Sequence, residues 1–198
     1  MLVLDKPSGL LTISSPKKEA RTLTSIVNED AQERKLSYRL HPCHRLDRGT
    51  SGLIIYAKGK STQAKVMRLF AGKKVKKTYL AFVHGNVSGR GQVTIPIEGE
   101  NALTRYQALA GGKDFTVIEL TPATGRTNQL RLHMKAIGHP IVGEDKFVFR
   151  RHYALKAKRL CLHAARLSFP HPVTGREIRL EAPQPLYFQA FLSAYNIK

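Results

Sequence analysis

Acidic residues and cysteines are both scarce in this chain. Asp and Glu number 14 against 33 Lys and Arg, a formal charge of +19. So large an excess goes beyond what solubility needs. It predicts a polyanionic partner and salt-sensitive binding, with nucleic acid ahead of an anionic membrane. The two cysteines, Cys43 and Cys161, cannot build a disulfide framework; each lies in an apolar or strand-like stretch where a buried free thiol is common. Long apolar runs are missing too, since nothing approaches the ~18 consecutive apolar residues of a membrane span. The opening MLVLDKPSG reaches a turn before a signal-peptide core forms, so a cytoplasmic protein is expected.

Other absences narrow the function. His41, Cys43, His44, Cys161 and His163 lack the paired Cys-x-x-Cys or His-x-x-x-His spacing of a zinc site, so no metal is expected. Between Gly52 and Gly59-Lys60-Ser61 lie six residues where a phosphate-binding P-loop has four, which argues against ATP. His133 and His163 sit among apolar residues and read as structural histidines. There is no internal repeat and no low-complexity linker. With 198 residues and 42% hydrophobic content, the chain can bury a core as one domain or two packed halves; a single domain over 1–198 is expected.

What is present is an irregular mixture of strand and helix patterns. Strands are predicted at Leu2–Leu4, Leu53–Ala57, Thr78–Val83, Val93–Ile97, Phe115–Leu120, Leu160–Phe169 and Glu177–Leu180. Helices are predicted over about Arg21–Glu33, from Ser61 with Ala64, Met67, Phe70 and Ala71 inward, from Thr127 with Leu130, Met134 and Ile137 inward, and over Leu186–Tyr195 after Pro185. This is no regular βαβ alternation. It points to an α+β fold with a largely antiparallel sheet.

Three clusters can carry chemistry. His44-Arg45-Leu46-Asp47-Arg48-Gly49-Thr50-Ser51-Gly52 is a polar loop between strand candidates, and the arginines beside Asp47 favour the ionised carboxylate that a nucleophile or base requires. Taken alone, Arg-x-Asp-Arg is more often a surface salt bridge. In Thr124-Gly125-Arg126-Thr127-Asn128-Gln129-Leu130-Arg131-Leu132-His133 small residues lead into a helix, and Arg131, a turn inside, can reach back toward a carboxylate such as Asp47. Its commoner role is a solvated basic residue. Tyr79 follows Lys76-Lys77 in a strand, where an aromatic ring can stack a splayed base; the ordinary alternative is a core tyrosine.

Taken together the clusters resemble the RluA-type pseudouridine synthases, whose His-Arg-Leu-Asp-Arg-x-Thr-Ser-Gly loop is intact at 44–52. The resemblance extends to Lys6-Pro7-Ser8-Gly9, to Lys77 through Ala81, to Gly125 through His133 and to Gly138-His139-Pro140, and so covers most of the chain. It implies the pseudouridine synthase catalytic fold, with a mixed sheet, flanking helices and a central RNA-binding cleft. It also implies isomerisation of uridine in structured rRNA or tRNA with no metal or organic cofactor; a monomer is the default expectation. By the resemblance Asp47 is the catalytic aspartate, Tyr79 stacks on the uracil, and Arg131 pairs with the aspartate. His44, Arg45, Arg48, Thr50, Arg126 and Leu130 would bind substrate. Asn128 stands where the family usually has histidine, and Gly143-Glu144-Asp145-Lys146-Phe147 follows only loosely its Gly-Asp segment. The chain begins at the Lys-Pro-Ser-Gly segment, so no accessory RNA-binding domain in front is expected. Rival readings are a noncatalytic basic RNA-binding or ribosome-associated protein, and a degenerate synthase that binds RNA without isomerising it.

Overall fold

In a computed structural model, residues 1–15, 21–111 and 114–195 are described. In chain order the elements are β1 (Leu2–Lys6), α1 (Leu23–Glu33), β2 (Leu40–Pro42), β3 (Ser51–Lys58), α2 (Lys60–Ala71), β4 (Lys76–His84), β5 (Arg90–Val93), β6 (Thr104–Gly111), β7 (Phe115–Pro122), α3 (Gln129–Ala136), β8 (Leu162–Pro170), β9 (Glu177–Glu181) and α4 (Leu186–Ala194). They divide into two compact units. Residues 1–76 with 166–182 make the first, and 77–165 with 183–198 the second. The α+β expectation, with a largely antiparallel sheet, is met.

In the first unit β1 and β2 both pair antiparallel with β3, and β9 pairs antiparallel with β8. Leu53, Ile55 and Ala57 alternate along β3 toward a core shared with Val66 of α2, Leu167 and Phe169 of β8 and Cys43. On β3's other face the Tyr56 hydroxyl meets Thr24 of α1 at 2.8 Å. A strand covered on both faces has no polar side to show, which is why Ser51 through Ala57 are all buried. α1 starts with a capping box: the Ser25 amide donates to Thr22 Oγ1 and the Thr22 amide donates to Ser25 Oγ. Asn28 then ties the helix to β2 by bonds to both the amide and the carbonyl of Leu40.

The second unit orders its strands β4-β7-β6-β5, all antiparallel, with the start of β8 beside β4. Phe82 of β4 packs on Phe188 and Phe191 of α4 with ring centroids 4.4 and 5.4 Å apart, and Phe115 of β7 joins them. Thr104 of β6 accepts from Gln129 of α3 and contacts His133. Strand register places Thr104 with Pro122, and through Leu120 with Tyr79, on the sheet face opposite Phe82. α3 therefore lies on the Tyr79 face and α4 on the other.

Several local expectations are corrected. α2 begins at Lys60 behind Gly59, which gives no side-chain cap, so Ser61 is not the capping residue. Its inward stripe is Val66, Leu69 and Phe70, while Ala64, Met67 and Ala71 are exposed. Both stripes have helical spacing, and only the fit against β3 selects one. α3 begins at Gln129 after Asn128 in the left-handed region, at φ 55°, rather than at a Thr127 cap. Leu130 and Met134 are buried as expected, whereas Ile137 is the C-cap. The strand expected over Val93–Ile97 runs instead over Arg90–Val93, because Pro96 cannot donate to a ladder. Ile97 keeps only an isolated bridge to Glu100. β2 and β6 were not anticipated.

Candidate active site

The loop that carries Asp47 joins β2 to β3, and it is held mainly by its backbone. Lys6 is fully buried, and its ammonium donates to the carbonyls of Pro7, Leu10 and Arg48 at 3.0, 2.7 and 3.3 Å. Ser8 donates to the Gly49 carbonyl at 2.7 Å, and the Gly9 amide donates to the Arg48 carbonyl at 2.8 Å. Buried Thr12 both donates to the Leu46 carbonyl and accepts from the Leu46 amide. The segment 6–12 thus grips the loop on each side of Asp47, and the Thr50 amide closes the turn on the Asp47 carbonyl at 3.1 Å. Burial pushes the Lys6 ammonium down to about 8, against the pull of the Asp47 charge.

The other residues expected here fall into two kinds. Arg45 and Arg48 are exposed, as phosphate-seeking groups would be, and Asp47 is half-buried. Thr50 is buried. His44 accepts the Ile55 amide at Nε2, which puts its proton on Nδ1, and its ring tilts against Phe70 with centroids 5.0 Å apart. That geometry ties His44 to the hairpin.

In the second unit Tyr79 is buried on β4, on the sheet face that carries α3. Lys77 shares that face by alternation, and a Cβ at Gly125 would stand 3.6 Å from its Nζ; burial holds this ammonium below its ordinary value. Gln129 anchors the turn before the helix: its side-chain carbonyl accepts from Thr124 Oγ1 and the Arg126 amide, and its amide donates to Leu103 O and Thr104 Oγ1. Leu130 is buried beneath, while exposed Arg126 pairs with Glu100 at 3.1 Å and donates to the Asn101 carbonyl. His133 has both ring nitrogens engaged, with Thr104 and with the Ile95 carbonyl, as a structural histidine should.

Arg131 is only 9% exposed. Its Nε and Nη2 donate to the two carboxylate oxygens of Glu144 at 2.7 and 2.6 Å, and its Nη1 donates to Asn128 Oδ1 at 2.9 Å. The Phe147 ring lies 4.9 Å from the guanidinium. Burial pushes the Glu144 carboxyl up, but the bonds and charge of Arg131, with the amides of Lys146 and Phe147, outweigh it and hold the group below its ordinary value. The two stretches that depart from the family pattern, Asn128 and 143–147, both meet on this one side chain. Glu144 was not singled out by sequence reasoning, nor was Gln129. Lys6 was noted only within its motif.

Cys43 and Cys161 are free and buried, as expected, and burial pushes their thiols up to about 11 and about 12. Among the described residues no group of three or more His, Cys, Asp or Glu gathers as a metal site would require, and no helix is long and apolar enough to cross a membrane.

Residues 1–136 match the family model for RNA pseudouridylate synthase. The chain belongs to the RNA pseudouridylate synthase family, and is of the RluA type. The chain is 37% identical over 199 aligned residues to the dual-specificity RNA pseudouridine synthase RluA of Pasteurella multocida, covering 92% of this chain and 88% of that one. Against the protein of the same name from Escherichia coli (strain K12) the identity is 34%, covering 92% and 89%. The solved structure of human RNA pseudouridylate synthase domain containing 4 overlays with a TM-score of 0.82 over 99% of this chain and 90% of that one, at 24% identity, a likeness of fold. This synthase is accordingly an RNA-modifying enzyme that forms pseudouridine, and the noncatalytic reading loses its ground.

Proposed function

We propose that this synthase isomerises defined uridines in structured ribosomal or transfer RNA, with Asp47 as the acting carboxylate. The observation that carries the proposal is the intact 44–52 loop, seated on the 6–12 segment so that the backbone on both sides of Asp47 is fixed. Relatives at 34–37% identity bear the name dual-specificity RNA pseudouridine synthase, which favours more than one target site here as well.

The chemistry makes demands that these residues can meet. The target uridine leaves its stack, at a cost of a few kcal/mol, before its sugar and base are reachable. The C1′–N1 bond then breaks, the uracil turns, C5 bonds to C1′, and the proton lost from C5 to solvent is balanced by one taken up at N1. Asp47 supplies a carboxylate beside C1′ and C2′, Tyr79 stacks the uracil while it is detached, and Arg131 keeps the carboxylate ionised and aimed. Arg45, Arg48 and Arg126 hold phosphates, with His44, Thr50 and Leu130 shaping the walls. Charge of +19 on the chain brings the RNA in.

The test is pseudouridine mapping by mass spectrometry of RNA from a strain lacking the protein, complemented with wild type or Asp47→Asn. Wild type alone should restore the missing sites, while Asp47→Asn folds and binds RNA but restores none. Normal restoration by Asp47→Asn would overturn the assignment.

A further inference from the structure

Arg131 is held by three side-chain hydrogen bonds, and the partners that make them come from two separate segments. Asn128 precedes α3, and Glu144 lies thirteen positions beyond Arg131. The carboxylate of Glu144 also accepts the amides of Lys146 and Phe147, at 2.9 and 3.3 Å, so the 143–147 turn winds around it. That turn is demanding, since Gly143 has φ 83° and a Cβ there would run into the Arg159 carbonyl. Glu144 is 2% exposed. A carboxylate so fixed is a template, and the fork-to-fork bond carries its orientation to the guanidinium.

We infer that Glu144 and Asn128 are positioning residues for Arg131, setting the plane and direction in which its guanidinium meets the reactive site. The inference rests on the reading of Arg131 as a member of that site. A carboxylate opposite the guanidinium offsets its charge, so the pair as a whole is neutral. Arg131 then works as an aimed hydrogen-bond donor more than as a bulk cation. The two modes part company on Glu144→Gln, which removes the negative charge and half of the fork. A charge-driven Arg131 would keep or gain activity in that variant, whereas an aimed one loses it.

The assay follows tritium release from [5-³H]uridine-labelled total RNA of a strain lacking the protein, with purified full-length variants. For Glu144→Gln we expect turnover at saturating RNA to fall about ten- to a hundredfold, the size of loss seen when the orienting partner of a metal ligand is removed, while the half-saturating RNA concentration stays within about twofold. Glu144→Asp, which restores a carboxylate, should recover most of the turnover. Asn128→Gly keeps the left-handed backbone while deleting the Oδ1 acceptor, and should cost about three- to tenfold. It carries the test if Glu144→Gln does not fold. Arg131→Lys is run beside them. Impaired Arg131→Lys with normal turnover in Glu144→Gln, or in Asn128→Gly where Glu144→Gln is unfolded, overturns the inference and leaves the role of Arg131 standing. Normal turnover in Arg131→Lys overturns both.

Discussion

Two buried cations, one in each unit, illustrate two ways of holding a candidate site in place. Lys6 is satisfied entirely by backbone carbonyls, so it orders a loop. Arg131 donates to a carboxylate and to a side-chain amide oxygen, and these partners fix the direction of its guanidinium. The lysine is brought down to about 8 by burial and can therefore lose its proton in mild base, while a guanidinium keeps its charge throughout. Carbonyls are dipoles and compensate a buried ammonium only in part; a carboxylate compensates fully, provided its own lone pairs are met. The lesson is that a charge meant to fix backbone can tolerate a weaker partner than one meant to be aimed.

That contrast can be broken most forcefully at Lys6. Lys6→Met removes the donor to three part-buried carbonyls and should cost about 2–4 kcal/mol in chemical denaturation; a loss under ~0.5 kcal/mol would mean the ammonium does not organise the loop. On the Arg131 side, Gly143→Ala forces a side chain into the left-handed region and against the Arg159 carbonyl, and should cost about 2–3 kcal/mol. Its turnover should fall as in Glu144→Gln if the turn is the template.

Titration sharpens the comparison. Because the folded Lys6 pKa lies below its unfolded value, the unfolded chain binds the extra proton between about pH 8 and the ordinary lysine range. Wild type should thus gain stability over Lys6→Met as pH rises through that window, by ~1–3 kcal/mol. For Glu144 the slope has the same sign but lies in the acid range, since its folded pKa is depressed as well. Its contribution is present above the ordinary carboxylate pKa and lost as pH falls through the lower folded value. Glu144→Gln should remove that part of the acid dependence, and an unchanged acid limb would deny the pairing. The smallest effect belongs to Arg126, whose pairing with Glu100 is exposed on both sides. Arg126→Ala should change stability by less than ~1 kcal/mol but weaken RNA binding, most visibly at low salt.

The legible parts of this protein were those with local causes. The helix expected over about Arg21–Glu33 is α1, whose Thr22 and Ser25 cap closes within four residues, and the alternation along β4 and β7 announced strands where β-branched and aromatic residues cluster. β6 escaped because Thr104-Arg105-Tyr106-Gln107-Ala108 lacks that signature; its place in the sheet comes from pairing between β5 and β7. The inward face of α2 was read as Ala64, Met67, Phe70 and Ala71; Phe70 does face the core, but with Val66 and Leu69, and a helix alone cannot choose between two such overlapping stripes.

The same division runs through the site. The order of residues determined the class of chemistry through a family resemblance, because the 44–52 loop, the Tyr79 strand and the Arg131 helix occur together as that family's motifs. It also determined the basic charge, a sum that needs no fold. What only the tertiary structure decided is which partners hold those groups: that Lys6 reaches Arg48 forty-two positions away, and that Asn128 and Glu144 converge on Arg131. The physical reason is that a hydrogen bond depends on distance and angle in space, and chain spacing constrains these only within a turn or a strand pair.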